Sequence, residues 1–212
     1  MSRTTEQMFE WMGIFGQEYT DRNSFALTEL EALYQRNYGI TRTELNRKFL
    51  DAVDRSARIL EVGSNVGNQL ICLQSLGFFD LYGIELQSHA VEVSKSRTKG
   101  INILKGSVFD IPFKDAYFDM VFTSGVLIHI HPNDLAAAMS EIHRCTREYI
   151  WGFEYYADEM VEVIYRENTN LLWKADYAKL YLELFEDLSL VKEERLKYID
   201  NGNIDSMFLL KK

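Results

Sequence analysis

Apolar positions change their rhythm along this chain. Up to about residue 57 they recur at helical spacing, at Leu27, Leu30, Ala32 and Leu33 and then at Leu45, Phe49 and Val53, which predicts two or three helices capping a core built later. From residue 58 short apolar runs alternate with helical stretches, the pattern of βαβ units around a mostly parallel sheet. Strands are predicted over 58–62, 81–86, 101–105, 118–124 and 149–155, with helices over 67–76, 89–98 and 133–146 between them. The tail differs again: 188–199 and 204–210 read as two strands joined by a tight turn at Asp200-Asn201-Gly202-Asn203, an antiparallel C-terminal hairpin. A helix over 180–185 turns Glu183, Glu186 and Asp187 to water, and Lys192-Glu193-Glu194-Arg195 reads as solvated strand surface.

Pro112 and Pro132 are the only prolines, and no Ser- or Gly-rich linker or internal repeat interrupts the chain. The reading is therefore a single domain, 1–212, with 1–57 as an N-terminal helical cap, 58–155 as the core, 156–187 as an insertion and helix, and 188–212 as the hairpin. With 212 residues, 47% of them hydrophobic, it has enough apolar surface for one core. No apolar run approaches the roughly 18 residues that span a bilayer, and residues 1–10 are polar and acidic where an export signal starts basic and turns apolar. The expectation is a cytoplasmic protein. A net charge of −9 repels phosphate backbones and anionic lipid, which tells against nucleic-acid and membrane partners. Cys72 and Cys145 stand alone, without the spacing of a disulfide framework or a metal site.

The informative segment is Ile59-Leu60-Glu61-Val62-Gly63-Ser64-Asn65-Val66-Gly67-Asn68, a strand entering a Gly-containing turn and then a helix. Gly63 permits a sharp turn and close backbone approach to a ligand, Gly67 permits close helix packing, and Asn65 tolerates the positive φ that a third glycine would otherwise take. About 20 residues beyond Gly63, Tyr82-Gly83-Ile84-Glu85 ends a second strand in an acid, where a carboxylate can accept ribose hydroxyls.

With Lys105-Gly106-Ser107-Val108-Phe109-Asp110 and Phe118-Asp119-Met120-Val121-Phe122-Thr123-Ser124-Gly125-Val126-Leu127-Ile128-His129, these segments resemble the class I S-adenosylmethionine-dependent methyltransferases over residues 58–155. The resemblance implies a Rossmann-like α/β fold: a mostly parallel seven-stranded sheet with helices on both faces. It implies S-adenosylmethionine as cofactor and a small-molecule acceptor; a monomer or homodimer is expected. Carried onto this sequence, it has Glu61, Gly63, Ser64, Asn65 and Gly67 cradle the amino-acid end of the cofactor. Glu85 holds the ribose, with Leu86 near the adenine, Ser107 and Val108 flanking the base, and Ser124 and Leu127 closing the floor. Ser107 stands where the family usually has an acid, and Cys145-Thr146-Arg147-Glu148 replaces the Pro-Gly-Gly turn that often precedes the fifth strand.

The flanks, Phe15-Gly16-Gln17-Glu18-Tyr19-Thr20-Asp21-Arg22-Asn23, Gly152-Phe153-Glu154-Tyr155-Tyr156 and Leu172-Trp173-Lys174-Ala175-Asp176-Tyr177-Ala178, resemble methylases of pseudaminic acid biosynthesis. That narrower resemblance implies an acidic or nucleotide-activated sugar as acceptor. Tyr19, Arg22, His131, Tyr155, Tyr156, Trp173 and Lys174 are candidates to line its pocket, Arg22 and Lys174 as cations for a carboxylate or phosphate. His129 is either a base for the acceptor or a hydrogen-bonding residue that shapes the pocket.

Two enzymatic alternatives lack their motifs. The Gly-x-Gly-x-x-Gly dinucleotide turn is absent, as is a Tyr followed four residues later by Lys, and no Gly-Lys-Ser or Gly-Lys-Thr supplies a triphosphate loop. A non-catalytic protein that binds the same nucleoside remains the other reading.

Overall fold

The computed structural model describes residues 4–212. Residues 1–3, counted with the cap on sequence grounds, lie outside the described residues. Among the described residues the cap holds four helices rather than two or three: α1 (Glu6–Met12), α2 (Ile14–Arg22), α3 (Leu27–Tyr38) and α4 (Arg42–Leu50). The first two escape the apolar pattern because Phe9 and Ile14 face solvent, so no inward stripe marks them. The break between them is at Gly13, whose N–H bonds back to Phe9 and Glu10 and so ends α1. The entry to α4 is a capping box in which Thr41 Oγ1 accepts from the Glu44 N–H while Glu44 accepts from the Thr41 N–H.

The strands that follow are β1 (Ile59–Val62), β2 (Leu81–Glu85), β3 (Ile101–Lys105), β4 (Phe118–Ser124), β5 (Thr146–Tyr155), β6 (Val161–Glu162), β7 (Trp173–Lys174), β8 (Ser189–Lys197) and β9 (Ile204–Lys211). Seven of them form one sheet in the order β3-β2-β1-β4-β5-β9-β8, while β6 and β7 pair as a small ribbon. β1 to β5 run parallel, and β9 is antiparallel to both β5 and β8. Helices α5 (Asn68–Ser75), α6 (Ser88–Arg97) and α7 (Pro132–Cys145) are the crossovers, and α8 (Tyr177–Leu184) precedes β8. This is the Rossmann-like architecture implied by the resemblance. Among the described residues no helix is long and apolar enough to cross a membrane.

Two boundaries differ instructively. β5 starts at Thr146, three residues before the predicted strand, because Thr146 ends α7 in extended backbone and its hydroxyl donates to the Ile142 carbonyl at 2.7 Å, so no loop intervenes. The final hairpin does not close in a two-residue Asn-Gly turn, since neither Asn201 nor Gly202 takes the positive φ such a turn needs. Residues 198–203 form a wider loop in which Asn201 Oδ1 accepts from the Asn203 N–H and the Ile199 N–H donates to the Asn37 carbonyl, pinning the hairpin to the end of α3.

Alternating side chains give the sheet two cores. Ile59, Phe122, Trp151, Met207 and Leu209 pack with Leu30, Leu45, Phe49 and Leu70 of the cap and α5, whereas Leu60, Val121, Ile150 and Phe208 pack with Leu135, Met139 and Ile142 of α7 and Tyr181 of α8. Cys72 and Cys145 are buried within these layers. Gly152 is required at the centre: a Cβ there would come within 2.2 Å of the Phe208 ring across the β5–β9 pair. Gly152→Ala is therefore expected to lower stability by about 1–3 kcal/mol, with partial recovery in the Gly152→Ala/Phe208→Leu double variant. Thermal melts check this, and an unchanged midpoint in the single variant would contradict the packing described.

Candidate functional site

The chain winds one way through β1, β2 and β3 and then returns to place β4 on the other side of β1. At such a switch point the crossover loops diverge and leave a crevice beyond the carboxyl ends of the strands. A cavity of about 350 Å³ lies there, roofed by α1, α2 and α3. Gln87, just past β2, ties the roof down: its Nε2 donates to the carbonyls of Trp11, Met12 and Gly13 at 3.0–3.1 Å.

The turn after β1 forms the inner wall. Gly63 has φ +71°, and a side chain there would meet Val126 Cγ2 at 2.6 Å. Asn65 takes φ +46°, the conformation expected of it. Its N–H donates to Glu85 Oε2 at 2.8 Å while the Gln87 N–H donates to Glu85 Oε1 at 2.7 Å, so backbone amides fix this carboxylate at the end of β2. Burial nevertheless holds the Glu85 carboxyl above its ordinary range, against the pull of those amides.

Several buried polar atoms on this wall have no partner among the described residues: Glu61 Oε2, Ser64 Oγ, Asn65 Oδ1 and Gln69 Oε1, with Trp11 Nε1 on the roof. Glu61 is 2% exposed, and burial drives its carboxyl well above the usual range although Arg42 pulls the other way. Orphaned buried groups are costly in a finished fold. Their convergence on one cavity marks the place of a polar ligand.

The opposite wall is the loop after β4, a single 3-10 turn at Leu127–His129. Glu154 of β5, 1% exposed, holds it by accepting from the N–H groups of Val126 and Ile128 at 3.0 and 3.4 Å. His129 Nδ1 lies 2.7 Å from the Leu171 carbonyl, an oxygen that can only accept, so Nδ1 carries the proton and Nε2 keeps its lone pair. Burial pushes this imidazole down to about 4, and it stays neutral at ordinary pH.

Of the residues singled out from sequence, Glu61, Gly63, Ser64, Asn65, Glu85, Leu86, Ser107, Val108, Ser124, His129, Tyr19 and Tyr155 line the cavity. Gly67 caps α5 outside the lining, and Leu127 is buried in the core. Ser107 Oγ accepts from the Phe109 N–H at 3.2 Å. The other acceptor-pocket candidates lie elsewhere, each engaged by a local partner. Arg22 pairs with Glu18 at 3.5 Å, His131 Nδ1 caps α7 through the Asn133 N–H, and Trp173 packs against the His131 ring. The Tyr156 hydroxyl donates to Asp158 beneath the Arg195 guanidinium, and Lys174 Nζ donates to Asn203 Oδ1 at 2.5 Å. From the 156–187 insertion, Tyr165 and Leu172 reach the cavity instead.

Residues 60–149 match a methyltransferase domain model. An O-methyltransferase of Aspergillus nomiae is 30% identical over 99 residues, 44% of this chain and 43% of that relative, so the chain spans less than half of its length. The magnesium protoporphyrin IX methyltransferase of Synechocystis, solved with bound S-adenosylmethionine, superposes with a TM-score of 0.72 at 9% identity, each chain covered in full. A Burkholderia thailandensis 1,6-didemethyltoxoflavin N1-methyltransferase, solved with that molecule and S-adenosylhomocysteine, gives 0.69 at 16% identity, covering 93% of this chain and 85% of its own. The match to the domain model covers less than half of the chain, and what the two solved methyltransferases share with it is the fold. The cavity occupies the crevice at the switch point of that fold.

Sequence reasoning passed over Glu154, Trp11, Tyr38, Tyr198 and Asp205. Glu154 and Asp205 carry a readable signal, because each is an acid at a strand position whose neighbours two residues away face the interior. Burial pushes the Glu154 carboxyl up to about 7, against the Thr123 hydroxyl and the amides it accepts from. The native state thus holds this proton more tightly than an unfolded chain, whose glutamates titrate near 4.5. Stability contributed here falls as pH rises from about 4.5 to 7. Glu154→Gln is expected to flatten part of that decline in thermal melts, whereas Glu154→Ala loses about 1–3 kcal/mol by stranding the amides. A parental pH slope in the glutamine variant would count against this assignment.

Proposed function

We propose that this chain is an S-adenosylmethionine-dependent methyltransferase acting on a small-molecule acceptor. The observation that carries the reading is the set of unpartnered buried atoms around Gly63, together with the amide-fixed carboxylate of Glu85 at the end of the next strand. Glu61 suits an ammonium, Ser64 and Asn65 the remaining polar atoms of an amino acid, and Glu85 the two hydroxyls of a ribose. Leu86 and Val108 supply apolar contact for an adenine, with Ser107 as a hydrogen-bonding partner.

S-adenosylmethionine supplies an electrophilic methyl group on a sulfonium. The protein's task is to hold an acceptor in line with it and to keep water out. The roof of α1 to α3 and the aromatic lining serve the second purpose. His129 serves the first: its Nε2 lone pair, set by the Leu171 hydrogen bond, is the base that takes a proton from an acceptor hydroxyl or amine.

The narrower resemblance would make the acceptor an acidic or nucleotide-activated sugar. Its anion would need a cation, yet Arg22 and Lys174 are engaged outside the cavity and, among the described residues, no Lys or Arg lines it. An acceptor without net negative charge is the better fit.

Calorimetry with S-adenosylhomocysteine is expected to show binding that Gly63→Val and Glu85→Ala each weaken at least about tenfold, with circular dichroism unchanged. Parental affinity in both would refute the site. With an active acceptor in hand, His129→Ala should lose about 100-fold in rate or more at retained nucleoside affinity. The parental rate should be flat between about pH 6 and 8, and a titration near 6.5 or an unaffected His129→Ala rate would remove the base role. Nucleoside binding without turnover over a broad acceptor panel would instead favour the non-catalytic reading.

A further inference from the structure

We propose that Asp205 and the aromatic rings around it form the acceptor subsite, and that this subsite takes a small organic amine. The proposal rests on the reading above for which half of the cavity the nucleoside fills. Residues assigned to the nucleoside sit at the ends of β1, β2 and β3. Asp205 lies on the other side of the switch point, on β9 directly opposite Tyr155 of β5. Glu61 pairs with Phe122, Phe122 with Trp151 and Trp151 with Leu209, which lies on the same strand face as Asp205, so both acids open on one face of the sheet. They are three strand intervals, about 14 Å, apart across the sheet and four residues, about 13 Å, apart along it.

Asp205 has no exposed surface. Its Oδ2 accepts from the Tyr38 hydroxyl and the Tyr198 hydroxyl stands by the carboxylate, but Oδ1 is buried with no hydrogen-bond partner among the described residues, on a side chain that lines the cavity. Such an atom awaits a donor. Rings close around it: Tyr38 packs on Tyr198 at 4.7 Å and on Phe153 at 6.0 Å, and Tyr198 on Tyr155 at 6.5 Å. A carboxylate set among π-faces favours N–H donors and ammonium groups.

Charge makes the choice. Among the described residues the carboxylates lining the cavity are Glu61, Glu85 and Asp205, and no Lys or Arg lines it. Arg42 is fully buried behind the wall, stacked on Tyr34, Phe153 and Trp151, and Lys174 is held by Asn203. With Glu61 and Glu85 matched to the nucleoside, Asp205 is the acid left over. Burial pushes its carboxyl up to about 7 despite the tyrosine hydroxyls and the more distant Arg42 and Lys174, and a bound ammonium would restore the charged form.

The test uses the full chain and matched probes of opposite charge: tyramine and histamine against 3-(4-hydroxyphenyl)propionate and imidazole-4-acetate, by calorimetry with and without saturating S-adenosylhomocysteine. At least one amine is expected to bind about tenfold or more tightly than its carboxylate partner. Asp205→Asn should weaken that amine about tenfold or more while nucleoside affinity stays within about twofold. Tyr198→Leu, which leaves the carboxylate in place, should weaken it as well and serves where the asparagine variant fails to fold. Equal binding of amine and carboxylate, no amine binding at about 10 mM, or parental amine affinity in the folded variants overturns the proposal. Amine binding without any nucleoside binding would leave the subsite standing and remove the cofactor reading.

Discussion

A carboxylate taken out of water must find hydrogen-bond donors or a cation, and this protein gathers four, the buried Glu61, Glu154 and Asp205 and the half-buried Glu85, toward the side of the sheet where the parallel strands end. Glu85 and Glu154 are met by backbone amides and thereby fix the two loops that flank the crevice. Glu61 and Asp205 each keep an oxygen that no described residue satisfies. The first pair builds the cavity, and the second is aimed at what enters it.

The rest of the fold serves that division. A parallel sheet with a reversal between β1 and β4 opens a crevice, and the cap encloses it through Gln87 and the rings of α1 to α3. The antiparallel pair β8–β9 extends the sheet past β5 and so carries Asp205 to the far side of the cavity. The hairpin loop returns to α3 through Ile199, which joins Tyr38 and Tyr198 in one ring cluster.

Much of this was legible in the sequence. The alternation of apolar runs marked each parallel strand within a few residues, and Gly63, Asn65 and Glu85 announced the crevice because their backbone and charge requirements are local. Contacts made by distant segments were not legible. Tyr38 and Asp205 are 167 positions apart, and Arg22 and Lys174 read as cations for a substrate although Glu18 and Asn203 already engage them. The cap was under-counted because a roof over a cavity does not show the apolar stripe of a helix packed on a core.

The most direct measurement compares two nucleosides that differ in the amino-acid end alone. S-adenosylhomocysteine, with that end, should bind at least about tenfold more tightly than 5′-methylthioadenosine, which lacks it, and Glu61→Gln should narrow the gap. Equal affinities for the two in the parent protein would contradict the account, because the unpaired oxygen of Glu61 would then have no part in holding the ligand.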